Sequence, residues 1–435
     1  MAADDELVRE LAELIAIPTV SADPARRDAI RDGAAWICRF VERAGGTASV
    51  ESDGVLALGR IPASARADAA PTVLAYGHFD VQPPEPLEAW ESDPFAATVR
   101  DGWLHGRGAT DDKGQFFMLL RAVADLAAAG ELPVNVLVLG DGEEEVGGVA
   151  AWELLEAAEP RPDAAIVFDG PSESGGLELF LGTRGLLAVD LRVRTGAVDL
   201  HSGHYGGVAL NAVNVLVQML AAVVPRDGVV REELRAGVVP PSAEERASWP
   251  RRDAAEELRR RGARPLPGAL DAYEERRWTQ PSIDVNGLLG GKPRLRNTSI
   301  FAEATAELSV RLVPDQRPEE VARAVERLLR EAAPPEADVE LRWEGTPAAR
   351  VPADAPVIVR AVEALEREFG ERPLFVRSGG TLPVFSALAQ LGIPAVLMAF
   401  GVPEGNQHAP NERLPLAALP RGIRAAKALL RSFGA

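Results

Sequence analysis

Cysteine is almost absent: Cys38 stands alone among 435 residues, so no intrachain disulfide can form and a thiolate-bound zinc site is excluded. Such usage suits a reducing compartment. Lysine occurs only at positions 113, 292 and 427, leaving arginine to carry the positive charge. That charge is itself in deficit. With 47 basic against 65 acidic residues the net charge is −18, which argues against nucleic acid or an anionic membrane as a partner. No apolar run reaches transmembrane length, and the N-terminal Met-Ala-Ala-Asp-Asp-Glu-Leu lacks the apolar core of a signal peptide. The expectation is a cytoplasmic protein, with no nucleic acid and no membrane, whose partners are small molecules, cations and a second copy of itself. Internal repeats and low-complexity tracts are also missing.

What is present reads as globular. The chain is 46% hydrophobic and 26% charged, and 435 residues exceed one ordinary core, so two domains are expected. Helical spacing runs over Glu6–Ile17, Ala29–Gly45 and Gly114–Ala129, the last two closed by glycine. Four short apolar runs read instead as buried parallel strands: Val73–Tyr76, Val134–Leu139, Ala164–Phe168 and Ile393–Phe400. From 183 to 348 the character changes. Leu187–Thr195, Ala304–Val313 and Ala337–Trp343 alternate like half-exposed strands, while Asn211–Val224 and Pro318–Ala332 are amphipathic helices. The predicted fold class is therefore α/β. Residues 1–182 and 349–435 form a domain with a mostly parallel central sheet flanked by helices, interrupted by an inserted α+β domain at 183–348. Within the insertion, 226–280 reads as mixed short helices on a surface excursion.

Each apolar run hands over a polar cluster: Gly-His78-Phe-Asp80, Asp-Gly-Glu143-Glu144-Glu145 and Phe-Asp169, with His408-Ala-Pro-Asn-Glu after the fourth; Asp111-Asp112 precedes the 114–129 helix. Ligand sites in open α/β sheets lie beyond the carboxyl ends of the strands, so these groups can converge despite their separation in sequence. Imidazole and carboxylate together are donors for a pair of zinc-like ions. His78, Asp111, Glu145, Asp169 and His408 are the candidate ligands, and Asp80 is placed to accept the other N–H of His78. Singly, each has a plainer reading: a buried histidine satisfying a hydrogen bond, an Asp helix cap, a solvated glutamate turn. Adjacent carboxylates at buried strand ends repel unless cations compensate, which favours the metal reading for the set.

On these motifs the chain resembles the carnosinase-like dipeptidases, within the larger group of dinuclear zinc peptidases that also holds aminoacylases and desuccinylases. The resemblance implies two Zn2+ per subunit, with Mn2+ or Co2+ possible, Asp111 bridging them, and a cis bond between Asp111 and Asp112. It implies Asp80 as the orienting carboxylate and Glu144 as the general base acting on a water between the ions. It further implies a lid and dimerisation role for 183–348, with His201, in Asp199-Leu-His201-Ser-Gly-His, reaching a partner's site to stabilise an oxyanion. Arg311 matches the clamp on the substrate carboxylate. Thr298, Gly380 and Thr381 match substrate-pocket positions, and Asn211 opens a lid helix. An Asp at 169 favours substrates with a free amino terminus. Ser378 and His105 stand where relatives often have Glu and Tyr, which leaves the chemistry intact but puts carnosine specificity in doubt. His105 and His204 read as structural. The expected function is metal-dependent hydrolysis of dipeptides by a homodimer. The alternatives are an amidohydrolase acting on N-acyl amino acids or succinyl-diaminopimelate, and a catalytically silent metal-binding homologue.

Overall fold

In the computed structural model, which describes residues 2–225, 227–292 and 297–434, the short apolar runs become strands whose carboxyl ends deliver the polar groups. The chain opens with α1 (Ala2–Ile15) and α2 (Arg27–Arg43), then β1 (Thr47–Glu51), β2 (Leu56–Ile61) and β3 (Thr72–His78). Helix α3 (Lys113–Ala128) precedes β4 (Asn135–Asp141), β5 (Ala164–Phe168) and β6 (Glu178–Thr183). After one residue, Arg184, comes β7 (Gly185–Arg194), then α4 (Ala212–Val223), β8 (Ser282–Gly290), β9 (Glu303–Leu312), α5 (Pro318–Ala332) and β10 (Asp338–Thr346). The chain closes with α6 (Pro356–Phe369), β11 (Leu374–Ser378), β12 (Ala395–Met398) and α7 (Ala418–Phe433).

The central sheet runs β1-β2-β4-β3-β5-β12. Its β4-β3-β5-β12 portion is parallel, and β1 and β2 add an antiparallel edge. Parallel strands are covered on both faces, which is why β3, β4, β5 and β12 are apolar almost throughout. Their core is continuous with α1, α2, α3, α6 and α7. The second sheet, β8-β9-β7-β10, is wholly antiparallel. Its alternating residues bury one face, including Leu187, Val189, Leu191, Leu308 and Val310, under α4 and α5, and they form a separate core. Among the described residues no helix is long and apolar enough to cross a membrane.

The segment read as a surface excursion is more than that; Arg226, its first residue, lies outside the described residues. Short helices at Ala243–Ser248, Ala254–Arg260 and Tyr273–Thr279 do occur. Yet Trp278, fully buried, joins the core of the central sheet, and Glu245, almost wholly buried, pairs with buried Arg377 of β11. The segment is thus a strap lying against the first core. A few anchors in a charged background do not produce a periodic pattern, so the sequence conceals it.

A carboxylate and imidazole centre at the strand ends

His78 is the last residue of β3 and is aligned in the parallel ladder with Asp141, the last of β4. Gly77 lets this end approach α3 closely, since a Cβ there would stand 2.3 Å from Cγ of Phe116. The imidazole is 1% exposed. Its Nε2 lies 3.1 Å from Oδ1 of Asp111, and its Nδ1 lies 3.1 Å from the carbonyl oxygen and 3.3 Å from Oδ1 of Asp80. The peptide between Asp111 and Asp112 is cis. Asp112 stands at the N-cap position of α3, but its side chain caps nothing; its Oδ2 accepts the backbone N–H of His78 at 3.3 Å instead. The plain capping reading therefore fails.

From the other side His408, at φ +58°, brings Nε2 to 2.7 Å from Oδ2 of Asp111 and 3.2 Å from Oε2 of Glu145. Two clusters result. Donor atoms of His78, Asp111 and Asp169 lie within 4.8 Å of one another, and so do those of Asp111, Glu145 and His408. Asp111 belongs to both, one oxygen facing each histidine. Glu144 lines the same cleft, about 620 Å³ in volume, together with Gly380 and Thr381. Its neighbour Glu143 faces away and pairs with Arg27 at 2.7 Å.

The electrostatics are those of a crowded acidic site. Burial, reinforced by Asp169, Asp80 and Glu145 and opposed by His78, pushes the Glu144 carboxyl well above the usual glutamate range. Burial likewise raises Asp169 to about 7, with Asp111 and Glu145 adding to the effect. The bonds to Asp111 and Glu145 raise His408 to about 10. Burial alone would lower His78, but Asp111 and Asp80 hold it well above the ordinary histidine value. Protein groups alone thus satisfy this centre only by retaining protons that divalent cations would displace. The buried Oε1 of Glu145 has no hydrogen-bond partner, as expected of a ligand atom awaiting a cation. Nitrogen and carboxylate donors in two triads that share one carboxylate fit a pair of zinc-class ions.

Four contributors escaped the sequence reading or were left without a role. Gln82 donates to Oε2 of Glu145 at 2.8 Å and Gln407 to Oδ2 of Asp111 at 2.6 Å. Asp112 steadies His78, as described. Glu412, fully buried, accepts from the backbone N–H groups of Gly108, Thr110 and Asp111 and from Arg107, so it shapes the loop that presents Asp111. The signal for Glu412 was its place four residues beyond His408; Gln82 and Gln407 adjoin motif residues but are common residue types without a distinctive spacing.

The substrate-side candidates divide. Arg311, on β9, donates to Oγ1 of Thr381 at 3.0 Å, spanning from the second sheet to the cleft loop. His201 is exposed, lies outside the cleft lining, and accepts at Nδ1 from the N–H of Gly203 at 3.0 Å. Thr298 is exposed beside it, its carbonyl accepting from the N–H of Ser202. Asn211 caps α4 by accepting the N–H of Val213 at 3.0 Å. His105 is buried away from the cleft and His204 is exposed.

With this geometry in view, residues 74–432 match the model of peptidase family M20/M25/M40. The chain belongs to that family. It is 28% identical to a cysteinylglycine-S-conjugate dipeptidase of Corynebacterium striatum, over 94% of this chain and 91% of that protein. It is 29% identical to a human beta-Ala-His dipeptidase, over 79% of this chain and 71% of that one. Among solved structures, an M20 family metallo-carboxypeptidase from Sulfolobus solfataricus superposes with a TM-score of 0.86 at 28% identity, covering 99% of both chains. The M20 chain described here is thus a peptidase with a mixed α/β fold and a centre suited to metal.

Proposed function

We propose that this M20 protein hydrolyses dipeptides with the help of two divalent ions, zinc foremost and manganese or cobalt as substitutes. His78 and Asp169 would hold one, Glu145 and His408 the other, and Asp111 both. The observation that carries the reading is the double membership of Asp111 in the two donor clusters. Dipeptidase names among the relatives support the substrate class. When bound, such ions supply Lewis-acid polarisation of a carbonyl and a water acidic enough to ionise near neutral pH.

The chain's own residues do the rest. Asp80, facing Nδ1 of His78, fixes the tautomer that leaves Nε2 free as a ligand. Glu144, in the cleft, takes a proton from the attacking water and returns it to the leaving amine. Arg311, held by Thr381, binds the substrate carboxylate in a two-pronged fashion. His201 and Thr298 lie outside their own cleft and would act in a partner's, making 183–348 the lid and the dimer contact of a cytoplasmic homodimer and the remainder its catalytic domain. Assaying Ala-Gly-type dipeptides beside N-acetyl amino acids, with zinc supplied, tests the reading. Dipeptides should be turned over at least tenfold faster; preference for the acylated set would replace dipeptidase with amidohydrolase.

A further inference from the structure

Arg184 is the single residue between β6 of the first core and β7 of the second. Its backbone N–H donates to the carbonyl of Gly380 and its Nε to that of Gly379, both at 3.0 Å. Its Nη1 reaches only Oγ of Ser282, at 3.4 Å. Half-buried, this guanidinium makes no ion pair among the described residues. It lines a cavity of about 460 Å³ whose wall also includes Arg235, Arg276 and Arg277.

Arg277 is neutralised by Glu173 at 3.0 Å. Arg276 makes only long contacts, 3.4 Å each, to the carbonyls of Asp227 and Pro267, and neither it nor Arg235 forms an ion pair among the described residues. Glu275, the one acid on the cavity wall among the described residues, is taken by Arg246 at 3.0 Å. Asp284, whose charge acts on Arg184, is exposed and makes no ion pair among the described residues. Burial, with the charges of Arg311 and Arg277 adding to it and that of Asp284 opposing it, pulls Arg184 down to about 10. In a protein of net charge −18, three guanidinium groups without an ion pair among the described residues around one hollow are a local reversal of sign. The rest of the wall is mixed: Val229, Val230, Leu266 and Ala269 give an apolar stretch, and Tyr273, Gln280 and Ser282 add polar groups.

We infer that this cavity is a second ligand site, for a small organic anion with a carboxylate or phosphate head and a short apolar tail. The head would be shared by Arg184, Arg235 and Arg276, because planar guanidinium groups match both anions. The tail would lie against Val229 and Leu266. Since Arg184 also holds the carbonyls of Gly379 and Gly380, the occupied site would bear on the loop that carries Thr381.

The test is a binding measurement on the full-length, zinc-loaded protein, independent of turnover: calorimetric titration with hexanoate and with butyl phosphate. Saturable binding of either probe is expected, the tighter one identifying the head group. It should weaken about tenfold or more in the Arg235→Gln/Arg276→Gln double variant. That variant should keep its circular dichroism spectrum and its dipeptide turnover in the absence of probe. Binding should survive Arg311→Met, which removes the carboxylate clamp of the cleft. The inference is overturned if neither probe binds saturably, if the double variant binds as wild type does, or if Arg311→Met abolishes binding and so places the anion in the cleft.

Discussion

At the scale of single residues the centre separates holding from reacting. Glu144 and Glu145 are adjacent in sequence, yet only Glu145 lies in a ligand cluster, while Glu144 lines the open cleft. Glu144→Gln, which keeps the shape and removes the base, should cut kcat by at least about a hundredfold to ten-thousandfold. The bound zinc, counted by atomic absorption, should be unchanged; loss of zinc in parallel would make Glu144 a ligand instead. Glu412 is a different case, because it touches no reacting group in the proposed scheme. It and Arg107 are 0% and 1% exposed and pair at 2.8 Å. Glu412→Ala would leave the guanidinium buried without its partner and three backbone N–H groups around the Asp111 loop without an acceptor. The cost is about 3–5 kcal/mol, read as a lower urea midpoint, and zinc affinity should fall with it because Asp111 loses its support. Full stability in that variant would show that water can enter and replace the carboxylate.

At the scale of elements, β3 and α3 together position His78 and Asp111, and they meet where Gly77 faces Phe116. Gly77→Ala places a methyl group inside the van der Waals radius of that ring, and overpacking of this kind costs about 1–3 kcal/mol. Activity should drop more than stability predicts, since the shift falls on the two elements that flank the metal ligands; a variant with wild-type kcat/KM would mean that the ring simply rotates away. The parallel strands and their ends were legible from sequence because a strand buried on both faces leaves a continuous apolar run, and Val73–Tyr76 and Ala164–Phe168 became β3 and β5 with little adjustment. Of the five candidate ligands that the structure brings together, four follow such a run in sequence, whereas Asp111 comes just before a helix. What escaped lacked periodicity. In Ser282–Gly290 the edge strand β8 leaves Val285, Leu288 and Leu289 exposed, so no inward face stands out. Trp278 and Glu245 anchor their segment singly, and the strand Leu374–Ser378 carries Arg377, whose burial depends on a partner more than a hundred residues away.

At the scale of the whole molecule, two hydrophobic cores are joined through Arg184, the strap that ends at Trp278, and the return after β10. All five candidate metal ligands belong to the first core, His78 at the end of β3 and the other four in connecting segments, and none to the second sheet. Ligands that bind only the folded form stabilise it by mass action, about 4 kcal/mol at a thousandfold excess over Kd. Removing metal should therefore act unevenly. Calorimetry of the zinc-loaded protein should show two transitions, one for each core. Chelation should lower the midpoint of one by several degrees while leaving the other nearly in place, and added zinc, manganese or cobalt should reverse the change. Because burial drives Glu144 and Asp169 upward when no cation offsets their charge, the chelated protein should be least stable at alkaline pH, where the folded state must give up those protons. Carboxyls raised in the folded state contribute stability at low pH that is lost as pH climbs through their folded values, about 7 for Asp169. Zinc should flatten that dependence by taking the place of the protons. A single transition that moves as one unit on chelation would show instead that the strap welds the cores into one cooperative block, and that lid movement cannot be a separate degree of freedom.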